Sequence, residues 1–152
     1  MIIFDLDGTL ADISHRRHLV EDKKNKNFPL FYKMCVDDKP NRPIIEIFDS
    51  LRYSNGDWDI QIWSGRSDEV RKETVEWLDR YIYGDYRIAD KALARMRKSG
   101  DYTPDHVLKE KWLKEERAKG TRIDMVFDDR DRVVKMWRSH GITCLQVAEG
   151  DF

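Results

Sequence analysis

The stretch Ile2-Ile3-Phe4-Asp5-Leu6-Asp7-Gly8-Thr9-Leu10 decides how this chain is read. Its first half is a short apolar run of the kind a buried strand makes, and the run breaks at Gly8, where a loop begins. Asp5 and Asp7 stand two residues apart, so in a continuing strand their side chains share a face, while a bend at Gly8 lets Asp7 swing aside. An ordinary turn also looks like Asp-x-Asp-Gly, because both residue types form turns. The rest of the chain has to choose.

Working outward, residues 12 to 39 read as a loop plus a short helix leaning over the end of the first strand, with a lysine-rich part (Glu21-Asp22-Lys23-Lys24-Asn25-Lys26-Asn27) before an apolar cluster. Ile44, Ile45, Ile47, Phe48 and Leu51 fall at helical spacing after Pro43, predicting a helix over 43–53 that ends at Asn55-Gly56. Residues 59–63 alternate as a second strand, broken by Ser64-Gly65-Arg66 before a helix bearing Val70, Trp77, Leu78 and Tyr81. Residues 84–103 read as irregular and basic. Thr103 reads as an N-cap and Pro104 as a first-turn residue of a helix that carries Lys109 and stops near Gly120. Residues 123–127 form a third strand ending in Asp128-Asp129, then comes a helix with Val133, Val134, Met136 and Trp137 on one face, and a last strand over 142–147. Strands alternating with helices predict an α/β fold: a Rossmann-like, mostly parallel sheet with helices on both faces.

The bulk composition supports a folded chain. At 152 residues it suits a single domain over 1–152, and a 40% hydrophobic fraction with many aromatics argues against disorder despite 38% charged residues. The net charge of -1 supplies no overall attraction for a polyanion, so contact with nucleic acid has to come from local basic groups. Cys35 and Cys144 lack paired metal-ligand spacing and read as reduced, buried thiols. No apolar run approaches the ~20 residues of a membrane span, and Met1 leads into a strand instead of a signal peptide, so the expected partner set includes no membrane and the expected compartment is the cytoplasm.

In open parallel sheets ligands sit beyond the carboxyl ends of the strands. Three predicted strands end in polar groups: Asp5-Leu6-Asp7-Gly8-Thr9, Ser64-Gly65-Arg66 and Asp128-Asp129. Carboxylates converging there repel one another unless a cation is present. Magnesium suits such an oxygen-rich site, with the Asp5 side chain, the Asp7 backbone carbonyl and the Asp128 side chain as ligands. One carboxylate can attack phosphorus, and the other can protonate the leaving oxygen and then activate water. Ser64 and the amides around Gly65 can hold phosphate oxygens at the start of the following helix, and Lys109 can neutralise charge on the transferred phosphoryl group. Alone, Lys109 is simply a solvated lysine on a polar helix face.

Taken together these residues carry a resemblance. Asp5-Leu6-Asp7-Gly8-Thr9-Leu10, Ser64-Gly65-Arg66, Lys109 and Asp128-Asp129 resemble, in order, the signature motifs of the haloacid dehalogenase-like phosphatases. Gly100-Asp101, Val107-Leu108-Lys109-Glu110 and the run from Asp128-Asp129-Arg130 through Val133-Val134-Lys135-Met136-Trp137-Arg138 to Gln146-Val147-Ala148-Glu149-Gly150-Asp151-Phe152 are similar to the 3'-phosphatase domains of bacteriophage polynucleotide kinase-phosphatases. The resemblance covers nearly the whole chain and is weakest between residues 13 and 39. It implies a magnesium-dependent enzyme with Asp5 as nucleophile, Asp7 as general acid and base, Ser64 and Lys109 as phosphate ligands, Asp128 as a metal ligand and Asp129 beside it. It also implies that Arg16, Arg66, Arg97 and Asp105 belong to the active site, with the arginines on the phosphate or the strand. The Gly-x-x-x-x-Gly-Lys-Ser/Thr loop of a kinase is missing from these residues, so the expectation is a phosphatase without kinase activity or nucleotide cofactor.

The expected substrate is a nucleic acid ending in a 3'-phosphate, in DNA or RNA repair. Residues 87–98 carry Arg87, Lys91, Arg95, Arg97 and Lys98 against Asp90 alone, and Arg16, Arg17, Lys23, Lys24 and Lys26 form a second basic group facing Glu21 and Asp22. Both groups could line the path of a strand, with Tyr83, Tyr86 or Tyr102 to stack on bases, or could be a solvated charged surface. A chain this short has room only for a minimal cap, which favours a bulky polymer end over a small metabolite. The alternatives are a phosphatase for mononucleotides or other small phosphoesters, and a non-catalytic module that binds nucleic-acid ends. The residues leave open DNA or RNA preference, a homodimer, and whether the setting is a phage protein in its host's cytoplasm.

Overall fold

The computed structural model describes residues 1–22 and 24–150; Lys23 of the lysine-rich stretch and the terminal Asp151 and Phe152 lie outside the described residues. The elements run β1 (Ile2–Phe4), β2 (Ala11–Asp12), α1 (Ser14–Glu21), α2 (Phe28–Lys33), β3 (Lys39–Pro40), α3 (Arg42–Arg52), β4 (Ile60–Ser67), α4 (Arg71–Leu78), α5 (Tyr86–Ala92), β5 (Leu93–Arg97), α6 (Asp105–Ala118), β6 (Met125–Asp128), α7 (Asp131–Ser139) and β7 (Thr143–Gln146). Five strands form one parallel sheet in the order β5-β4-β1-β6-β7. This is the expected α/β architecture.

A parallel sheet must be covered on both faces, and the alternation along β1 shows how this one is. Ile2 and Phe4 face α3, α4 and α5 through Phe48, Val75, Trp77, Leu78 and Ala89. Ile3, with Trp63 and Val126 from the neighbouring strands, faces Leu108, Trp112 and Leu113 of α6 and Val133, Val134 and Trp137 of α7. Trp77 and Trp137 are therefore core residues, as their helical spacing predicts. Cys35 and Cys144 are buried free thiols, and burial pushes the Cys144 thiol up to about 12.

From β1 the chain builds β4 and β5 on one side, then returns to build β6 and β7 on the other. The carboxyl ends of β1, β4 and β6 therefore meet at the point where the winding reverses, which is where such sheets open a crevice. Between β1 and α3 a small insert is closed at its base by the antiparallel pair Ala11↔Pro40 and Asp12↔Lys39. It holds α1, α2 and a 3₁₀ turn over Met34–Asp37, with its own apolar cluster of Ile13, Val20 and Phe31.

Four local expectations need correction. The region 12–39 holds two helices and a two-stranded base instead of a loop with one short helix. β4 does not break at Ser64-Gly65-Arg66; pairing with β5 (Ser64↔Met96, Ser67↔Arg97) carries it to Ser67. Residues 84–103 are irregular only from 98 onward, because Asp85 caps α5, its Oδ1 accepting from the amides of Arg87 (2.8 Å) and Ile88 (3.2 Å), and β5 follows directly to Arg97. The cap of α6 is Pro104, which offers no side-chain hydrogen bond, while the Thr103 carbonyl accepts from Arg97 at 2.5 Å. Among the described residues no helix is long and apolar enough to cross a membrane.

Candidate active site

Asp5 sits one residue past β1, held there by its amide donating to the Phe127 carbonyl at 2.9 Å. α6 docks on the sheet through Leu108, Trp112 and Leu113, and this register turns the adjacent Lys109 toward the strand ends. Its Nζ lies 2.7 Å from Asp5 Oδ1, 2.8 Å from Asp128 Oδ2 and 3.3 Å from Asp105 Oδ2 one helical turn back. Lys109 is 1% exposed, so the solvated-lysine reading does not hold. Burial disfavours its charge, but Asp105, Asp128 and Asp5 outweigh that and hold the ammonium firmly protonated.

The carboxylates respond in opposite senses. Burial raises Asp5 well above the usual range, Lys109 pulls it back, and Asp128, Asp129 and Asp105 push it further up. Burial likewise raises Asp128, and burial together with Asp128 pushes Asp129 up to about 7. Burial also opposes ionisation of Asp7, yet Arg66 and then Arg16 overcome it and hold that carboxyl far below the usual range.

Asp7 is gripped by two buried arginines. Arg16 Nη2 donates to Asp7 Oδ1 at 2.8 Å, and Arg66 meets the same carboxylate through Nη2 and through Nε at 3.2 Å. Both guanidiniums also bind Asp38: Arg16 through Nε and Nη2 at 2.6 Å each, Arg66 through Nη2 at 2.8 Å. The Phe31 ring covers Arg16 at 4.1 Å and the Phe31 carbonyl accepts from its Nη1 at 3.1 Å. Asp38 is thus central to the site, and the sequence reading missed it. Its only signal was logical: two arginines destined for burial require a second buried carboxylate.

At the end of β4 the Ser64 hydroxyl oxygen accepts from the Arg66 amide at 3.1 Å and keeps its own hydrogen to donate. Ser64 and Gly65 lie inside the strand, not at a helix start as expected; the next helical turn begins at Asp68, where Ser67 Oγ accepts from the Glu69 amide. Gly65 is required by crowding, since a β-carbon there would fall 2.2 Å from Asp105 Oδ1. Arg97 reaches this point from β5. Its Nε donates to the Gly65 carbonyl at 2.7 Å, Nη1 to the Asp101 and Thr103 carbonyls, and Nη2 lies 3.4 Å from Asp105 Oδ1. Burial opposes the charge of Asp105, and Lys109, Arg130 and Arg97 together keep it ionised.

Asp5, Asp128 and Asp129 each bring an oxygen within 4.8 Å of the others, all buried. Asp129 Oδ1 has no hydrogen-bond partner there, and like charges this close cannot all ionise without compensation. An orphaned oxygen in an all-oxygen donor set fits a hard divalent cation such as Mg²⁺. Asp7 brings no carboxylate to this group, because its side chain is spent on the arginines. Gly8, at φ +87°, lets the loop pass Asp129 closely: a β-carbon would fall 2.1 Å from Asp129 Oδ2.

The two basic runs do not form continuous stripes. The period of two along β5 turns Arg95 and Arg97 to one face, where Arg95 binds Glu115 and Glu116 at 2.6 Å and covers the Trp63 ring at 5.0 Å. Arg16 is fully buried, and Lys98 pairs with Asp68 at 3.0 Å. Tyr83 packs edge-on against Phe48 and under Arg52, so it is no platform for a base.

A model of the phosphatase domains of polynucleotide kinase PNKP matches residues 1–152. A chain in the structure of the Pnkp1/Rnl/Hen1 RNA repair complex is similar over 99% of this chain, at 28% identity and a TM-score of 0.74. A chain in a second structure of the Pnkp1/Rnl/Hen1 complex is similar over the same share, at 29% identity and a TM-score of 0.76. This chain spans 43% and 46% of their respective lengths.

Proposed function

The chain belongs to the family of polynucleotide kinase PNKP phosphatase domains, and from that premise we propose that it is a Mg²⁺-dependent phosphatase removing 3'-phosphate ends from DNA or RNA. In this reading it serves nucleic-acid end repair; the complex that holds one of the similar chains is named for RNA repair. The observation that carries the proposal is the convergence of Asp5, Lys109 and Asp128 from three distant segments onto one buried point.

Asp5 is the nucleophile. One of its oxygens attacks phosphorus, the bond to the 3'-oxygen breaks, and an aspartyl-phosphate forms. The Lys109 ammonium, the Ser64 hydroxyl and the Gly65 amide receive the charge that gathers on the phosphoryl oxygens. Asp5, Asp128 and Asp129 would hold Mg²⁺, which supplies charge neutralisation at the transferred group.

Asp7 handles the proton. Held ionised by Arg66 and Arg16, it is ready as the base that takes a proton from the water hydrolysing the intermediate. Donating a proton to the leaving oxygen demands a weaker grip. An incoming phosphate provides it by drawing guanidinium charge away from Asp7, which raises the affinity of that carboxylate for a proton.

The test is turnover with Mg²⁺ on an oligonucleotide bearing a 3'-phosphate, beside one bearing a 5'-phosphate and a 3'-mononucleotide. Release of phosphate from the 3'-phosphorylated oligonucleotide alone is the expected result. Hydrolysis of the mononucleotide alone would overturn the substrate, and no hydrolysis of any would leave an end-binding module.

A further inference from the structure

Tyr102 is 86% exposed, more than any other large apolar side chain among the described residues. It stacks on no other ring there. Both faces of this ring are open to a planar ligand.

The loop that bears it is held by hydrogen bonds on both sides. Arg97 Nη1 clasps the carbonyls on either side, Asp101 at 3.2 Å and Thr103 at 2.5 Å. The Thr103 amide donates to Asp101 Oδ1 at 2.8 Å, closing the turn across Tyr102. On the near side Ser99 is anchored twice, by its amide on Asp68 Oδ1 at 2.8 Å and by its hydroxyl on Glu69 Oε1 at 2.5 Å.

The same guanidinium ties this loop to the phosphate-handling end of the site. Arg97 Nε holds the Gly65 carbonyl at 2.7 Å, and Nη2 reaches Asp105, whose other oxygen is 3.3 Å from Lys109 Nζ. The backbone that bears Tyr102 is therefore tied to Lys109, which binds Asp5, by a short chain of charged contacts, and its ring is left free.

We propose that Tyr102 is a stacking platform for a nucleobase at the 3' end of the strand, and that Arg97 is the positioning residue that presents it. The inference rests on reading the site as a polynucleotide 3'-phosphatase and adds what selects a polymer end over a bare phosphomonoester. Stacking is indifferent to base identity, because every base offers a π-face, so the platform suits an enzyme that meets any terminal sequence.

The experiment compares wild type, Tyr102→Ala and Tyr102→Phe on two 3'-phosphorylated oligonucleotides, one intact and one lacking its last two bases. For Tyr102→Ala the expected result on the intact strand is a rise in KM of about tenfold with kcat held within about twofold, matching the usual worth of one stacked base. On the abasic strand the rise is about twofold or less, and Tyr102→Phe restores wild-type KM on the intact strand. Equal effects on both strands, a loss in kcat instead of KM, or no effect of Tyr102→Ala would each overturn the platform while leaving the 3'-phosphatase reading in place. Failure of wild-type protein to release phosphate from the intact strand would overturn both.

Discussion

Lys109 Nζ stands 2.7 Å from Asp5 Oδ1, although 104 residues of sequence separate them. This contact places a buried cation beside the carboxylate proposed to attack phosphorus, and it defines what removing either partner should do. Asp5→Asn keeps the size and polarity of the side chain but cannot form the acyl-phosphate. Phosphate release should fall by about a thousandfold or more, with circular dichroism and thermal unfolding close to wild type. Substantial residual turnover would remove Asp5 from the mechanism.

Asp38 compensates two fully buried guanidiniums at once. Asp38→Ala leaves Arg16 and Arg66 sharing Asp7 alone, and urea denaturation should show a loss of about 3–5 kcal/mol. Asp38→Asn should retain more stability and still lower kcat, because both arginines shift further onto Asp7 and tighten their hold on the carboxylate proposed to move the proton. Unchanged kcat would show that the clamp does not tune Asp7.

Gly8 and Asp129 are in close approach, and Gly8 has a left-handed backbone. Gly8→Ala should cost about 1–3 kcal/mol from strain and also weaken Mg²⁺ binding by displacing Asp129. Gly141→Ala is the control: it is also left-handed, at φ +74°, but its added carbon would meet nothing within 4 Å. Calorimetric Mg²⁺ titration should separate the two, with the affinity of Gly141→Ala unchanged.

The acidic cluster makes stability depend on pH and on the divalent ion together. Burial and Asp128 raise Asp129 to about 7, and Asp5 and Asp128 are raised too. A carboxyl raised on folding contributes stability below its unfolded value of ~4, and that contribution is lost as pH rises through the folded value near 7. In chelator the melting temperature should therefore fall between pH 5 and pH 8. Added Mg²⁺ should raise it most at the upper end, where the carboxylates are ionised. A Mg²⁺ effect of equal size at pH 5 and pH 8 would exclude these carboxylates as the ligands.

Most of the sheet could be read from residue pattern, because its strands are short apolar runs closed by Gly or polar residues, as at Ile2–Phe4 and Met125–Asp128. Two of the misreadings share one cause, an element without a clear apolar period. Leu93–Arg97 is an edge strand whose Arg95 and Arg97 answer acids and carbonyls on neighbouring elements, so its alternation shows no apolar face. The helices of the insert surround only three buried apolar residues, too few to set a period.

Sequence alone determined the order of the strands' polar ends, the glycines at the tight passages and the spacing that puts Asp105 and Lys109 on one helical face, since these depend on local backbone geometry. Tertiary structure alone decided that Asp38 joins Arg16 and Arg66 at Asp7, that Arg95 and Arg97 turn inward, and that Tyr102 stays bare. Each depends on which charges are buried together, and the free energy of a buried charge is set by its neighbours in space, however far along the chain they lie.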